Sequence, residues 1–113
     1  MKVSIEELPF ILHMQPSKTM DSLTTMLPLK VELTRRENIE YYAKLPQNLD
    51  LSEELETSNV HLGGIYYYQE WNVLSFQLAN TNIAPYKMIY LGEFETDLTE
   101  KFGNTKQIKA NIF

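Results

Sequence analysis

The chain of 113 residues contains no cysteine. Disulfide staples, thiolate metal sites and a cysteine nucleophile are thereby excluded. The absence fits a reducing cytoplasm, the expected location. Glycine is scarce as well, at four residues. None of the four builds a phosphate-cradling loop, and Gly63-Gly64 reads as a turn before a strand. Basic charge is in the minority, with 10 Lys and Arg against 15 Asp and Glu and a net charge of −5. Phosphate contacts need the opposite balance, so nucleic acid is not an expected partner. No apolar run approaches the roughly 20 residues that span a bilayer, and the run at 8–14 is interrupted by His13. Glu6 and Glu7 likewise break the N-terminal pattern before a signal peptide could form. No membrane partner and no cofactor are expected.

What is present is an ordinary globular share of apolar residues, 43%, with 22% charged. The length fits one domain, 1–113, with a core of its own. Period-two alternation dominates. Val3 and Ile5, then Leu8, Phe10, Leu12 and Met14, read as a two-stranded hairpin. Leu29, Val31 and Leu33 alternate with Lys30, Glu32 and Thr34 in the cleanest half-buried strand. Residues 39–43 return from a polar turn at 35–38. Residues 65–68 and 71–78 form a second hairpin around Gln69-Glu70. The segment 86–94 is apolar on both faces, as a central strand would be, and 107–113 closes the set. Two helices interrupt the strands. Ser17 caps one over about 18–26, with Asp21 in its first turn. Asp97 caps the other, with Glu100 three residues on and Gly103 beyond its end. Residues 46–59 read as a long acidic loop with Leu49, Leu51 and Leu55 as anchors and a short helical turn at 52–56. The stretch 47–59 is expected to be more mobile than the rest. The count is about eight strands and two short helices: a mostly β chain, predicted to close into a barrel with a helix at each end.

The order of these elements resembles a group of small bacterial proteins with a cyclophilin-like β-barrel fold. Three blocks carry the resemblance. The first is Met26-Leu27-Pro28-Leu29-Lys30-Val31-Glu32-Leu33, followed by Tyr41-Tyr42-Ala43-Lys44-Leu45-Pro46. The second is Gly64-Ile65-Tyr66-Tyr67 leading to Trp71-Asn72-Val73-Leu74-Ser75-Phe76. The third is Ile89-Tyr90-Leu91-Gly92-Glu93-Phe94. The resemblance implies a closed eight-stranded barrel with helices at its open ends. It does not imply isomerase activity: the Phe-His-Arg strand motif and the Gln-Gly-Gly-Asp segment of true cyclophilins are both missing.

No catalytic signature stands by itself. His13 and His61, 48 positions apart in the sequence, are read as structural. Glu53, Glu54 and Glu56 read as a solvated acidic loop, and no serine has a nucleophile-elbow setting. Arg35 and Arg36 are the electrostatic candidates. A prolyl isomerase uses an arginine to weaken the amide double bond, and the same pair could clamp a carboxylate; the bland alternative is a charged hairpin tip. The aromatic candidates are Tyr66, Tyr68, Trp71, Phe76 and Tyr86, which combine apolar bulk with polar tips. Alternation sets Tyr66 and Tyr68 opposite Tyr67, so one set stands outside the core and is a candidate for an exposed face. Two readings follow: a non-catalytic module binding a peptide or small molecule, or a reduced peptidyl-prolyl isomerase. An arginine head beside an aromatic cleft is the observation that divides them.

Overall fold

A computed structural model describes residues 1–51 and 55–113. The chain begins with a hairpin of β1 (Lys2–Ile5) and β2 (Leu8–Met14), whose registered ends are Ile5 and Leu8. Glu6 and Glu7 form its two-residue turn, both at positive φ, 48° and 69°. That is the backbone hand that matches strand twist in a tight hairpin. Helix α1 (Lys18–Thr24) follows, and the Ser17 side chain accepts from the Met20 N–H at its start. Next come β3 (Leu29–Arg36) and β4 (Glu40–Lys44), then β5 (Glu56–Thr57) and β6 (Asn59–Val60). The second half holds β7 (Gly64–Tyr68), β8 (Val73–Gln77), β9 (Thr81–Asn82), β10 (Met88–Phe94), helix α2 (Leu98–Phe102) and β11 (Gln107–Ile112). Asp97 caps α2 by accepting from the Thr99 and Glu100 N–H groups.

Eight strands close a ring in the order β2-β1-β11-β3-β4-β8-β7-β10, and β10 pairs back onto β2. Every pairing is antiparallel. Closure removes the open edges that an eight-stranded sheet would otherwise present. Inward positions fill the interior: Val3, Ile5, Leu33, Tyr41, Leu74, Leu91 and Ile108 are all fully buried. The helices close opposite ends. Met20 and Leu23 of α1 join the core near Leu45 and Leu49, while Leu98 of α2 enters where Tyr41 donates its hydroxyl to the Thr105 carbonyl at 2.7 Å.

The expectations for 46–59 and for Trp71 need correction. The stretch 46–59 is not one loop. Leu49 is buried, Glu56–Thr57 adds a short strand to β10, and Asn59–Val60 pairs with β9. Leu55, expected as an anchor, is 89% exposed. The helical turn expected at 52–56 falls partly outside the described residues, and from 56 on the chain is strand. Trp71 is not on a strand either. Asn72 takes φ 53° with its side chain bridging the Tyr67 hydroxyl and the Leu45 carbonyl, so β8 starts only at Val73.

Candidate functional site

The outer barrel face over β4, β7, β8 and β10 carries a second apolar cluster, separate from the interior. Val60, Tyr66, Tyr68, Val73 and Met88 are buried there, with Tyr42, Ile83 and Tyr90 packed against them. Alternation explains both layers. Tyr67 points inward, and the outward Tyr66 and Tyr68 are buried too, because the β6–β9 ribbon lies over that face. The set that alternation left outside the core is therefore largely covered rather than exposed.

A cavity of about 380 Å³ opens on this face. Its walls are Tyr42, Tyr68, Trp71, Tyr86 and the apolar Val73, Ile83 and Met88, with Arg36, Glu40 and Glu70 as its charged members. The rings stand steeply to one another. Tyr68 meets Trp71 at 5.5 Å and 76°, and Tyr86 at 6.3 Å and 89°; Tyr42 meets Trp71 at 6.5 Å and 60°. Trp71 and Tyr86 are both more than half exposed, so the cavity is open at the rim. The Tyr68 hydroxyl donates to Glu70 Oε2 at 2.7 Å. Burial first, then this carboxylate, pushes Tyr68 up to about 12, so its hydroxyl stays protonated across ordinary pH.

The Arg35-Arg36 pair divides between two environments because strand neighbours face opposite ways. Arg35 turns inward and is buried, not at an exposed tip. It donates to the Gly103 carbonyl at the end of α2 at 2.9 Å and to Asn38 Oδ1 at 3.1 Å, with its guanidinium 5.3 Å over the Tyr41 ring. A cation there satisfies the carbonyl end of a helix. Arg36 faces out and lines the cavity. Its Nε donates to Glu40 Oε2 at 2.6 Å, across the β3–β4 pairing. Glu40 is buried, and its other oxygen accepts from the Ser75 hydroxyl, which in turn accepts from Gln77 Nε2 at 2.6 Å. A buried carboxylate needs such donors to offset its lost hydration. The chain Gln77–Ser75–Glu40 thus holds Arg36 in place from beneath.

Of the residues singled out from the sequence, Arg36, Tyr68, Trp71 and Tyr86 come together at this cavity. Phe76 does not reach it: it faces into the barrel, 5.7 Å from Phe94. Tyr66 lies aside, where its hydroxyl meets His61 Nδ1 at 3.0 Å and burial raises its pKa. His61 Nε2 contacts Glu93 at 2.7 Å, and His13 contacts Glu95 at 2.6 Å. Among the described residues, no three His, Cys, Asp or Glu side chains are grouped to hold a metal ion. Glu53 and Glu54 lie outside the described residues. No helix among the described residues is long and apolar enough to cross a membrane. Sequence reasoning missed Glu40, Tyr42 and Glu70. The signal for the first two was present, since Glu40 and Tyr42 share a strand face.

Against known proteins, a model of the cyclophilin-like family matches residues 3–112. No curated protein matches the chain.

Proposed function

The chain belongs to the cyclophilin-like family, and from that premise we propose that it is a binding module whose outer-face aromatic cavity takes a peptide or small ligand without transforming it. The observation that carries this reading is the cavity itself: four aromatic rings around about 380 Å³, rimmed by a held arginine. That volume lies at the small end of ligand sites, roughly 300–1,000 Å³. Apolar walls with a few fixed polar groups are the usual build of such sites.

The state of Arg36 supports a reading without catalysis. Polarising a proline amide needs a preorganised donor whose charge is free to act on the amide. Here a buried carboxylate sits 2.6 Å from Arg36 Nε and offsets that charge. The second reading, a reduced peptidyl-prolyl isomerase, has one specific observation in its favour: Arg36 does lie beside an aromatic cleft, next to Tyr68 and Trp71.

Two measurements separate the readings. Isomerisation of Xaa-Pro peptides should proceed at the uncatalysed rate with the wild type and with Arg36→Ala alike. A peptide and fragment screen read by the fluorescence of Trp71, the single tryptophan, should find saturable binders. A wild type that is clearly active, and loses that activity in a folded Arg36→Ala variant, replaces the binding reading with the isomerase one.

A further inference from the structure

We infer that the cavity is a cation cage, built for an alkylated ammonium group. This rests on the cavity being the ligand site, and it adds the chemical class of the ligand. Aromatic faces carry negative potential, and a cation within about 6 Å of a ring centroid is attracted to it. Tyr86, Tyr68, Trp71 and Tyr42 form a continuous series of rings, with successive planes at 89°, 76° and 60°. Rings set at steep angles around one cavity present several faces to a single group at its centre. Stacked parallel rings would bury those faces against one another. A flat apolar ligand would fit a slot, whereas a tetrahedral head group fits a box.

The charges agree with this. Arg36 and Glu40 offset each other at 2.6 Å, so the unmatched charge in the lining is the carboxylate of Glu70. Glu70 accepts a hydrogen bond from the Tyr68 hydroxyl at 2.7 Å. That hydrogen bond pushes electron density into the Tyr68 ring and strengthens its face as a cation partner. A quaternary ammonium has no N–H to satisfy and carries only a diffuse charge in an apolar shell. A box of ring faces with one carboxylate therefore answers its needs without dedicated acceptors. The small volume fits a free small molecule carrying that head group.

Choline and 3,3-dimethylbutanol are a matched pair, equal in shape, with nitrogen replaced by carbon and the charge removed. Titration of the wild type followed by Trp71 fluorescence should show saturable choline binding, with the neutral isostere weaker by roughly tenfold or more. Glu70→Gln keeps an acceptor for Tyr68 and removes only the charge, so it should weaken choline several-fold and leave the isostere unchanged. Tyr86→Leu, at an exposed position, should weaken choline without unfolding the protein. If the isostere binds as tightly as choline, the cage inference fails and the binding-module reading stands on an apolar cavity. If neither ligand binds, the cage inference fails as well, and the fragment screen decides the broader reading by itself. A trimethyl-lysine peptide that clearly outcompetes choline would overturn the free small molecule as the source of the cation.

Discussion

At the scale of single residues, neighbours in sequence part company on this barrel. Arg35 secures a helix end and Arg36 lines a cavity, although the two are chemically identical. Tyr66, Tyr67 and Tyr68 divide in the same way, and three of the seven tyrosines, Tyr66, Tyr68 and Tyr90, are raised above the ordinary value near 10, burial being the first cause in each. For Tyr68 the folded value is about 12, above that of the unfolded chain. A raised folded value means the protonated hydroxyl contributes stability that is fully present below the unfolded value. That stability is lost as pH rises from about 10 through about 12. Alkaline titration of tyrosinate absorbance should show Tyr68→Phe deleting a late-ionising group. Its deletion from the step near pH 10 instead would refute the assignment.

Among the elements, the β1–β2 hairpin holds two glutamates where glycine or asparagine is the usual choice. Both stand at positive φ, a region that costs a side-chain-bearing residue about 1–2 kcal/mol. Glu6 has a compensation, since its backbone N–H donates to the Lys109 carbonyl and its carboxylate accepts the Lys109 N–H, both at 2.8 Å. Glu7 has no such contact among the hydrogen bonds of the described residues. Glu7→Gly should therefore stabilise the protein by roughly 0.5–1 kcal/mol, the relieved strain exceeding glycine's extra chain entropy. Urea unfolding checks this, and a lower midpoint would show that the turn is not strained at Glu7. Glu6→Gly should be destabilising, because it removes an acceptor from the Lys109 N–H.

For the whole molecule, the decisive event is closure of β10 onto β2. Gly92 sits at that seam, registered with Met14 on one side and Ile65 on the other, beside an irregularity in the β7 pairing. A Cβ at Gly92 would stand 2.5 Å from the His13 carbonyl oxygen and 2.8 Å from Met14 Cα. Both are backbone atoms, so the strands would have to separate. Gly92→Ala should cost about 1–3 kcal/mol, in the range of other overpacking changes. An unchanged unfolding midpoint would mean that the seam has slack.

Local rules of short range were readable directly. The period of two, the caps at Ser17 and Asp97, and the turn residues depend on near neighbours along the chain, so the eight barrel strands, both helices and the barrel class were legible. The residues 46–59 were misread because β5 and β6 are held by β10 and β9, partners far away in sequence. Trp71 was misplaced because Asn72 answers to Leu45 and Tyr67, not to its own strand pattern. The candidate site was half legible for a similar reason. Alternation gave the face each residue takes, but not which outer face would be roofed over and which left open. That depended on where the β6–β9 ribbon settled. Glu40 meets Arg36 across a single hairpin, but only the closed barrel brought Tyr42 and Tyr86 to Tyr68 and Trp71, because the β4–β8 and β7–β10 pairings join strands whose adjacency no local pattern encodes.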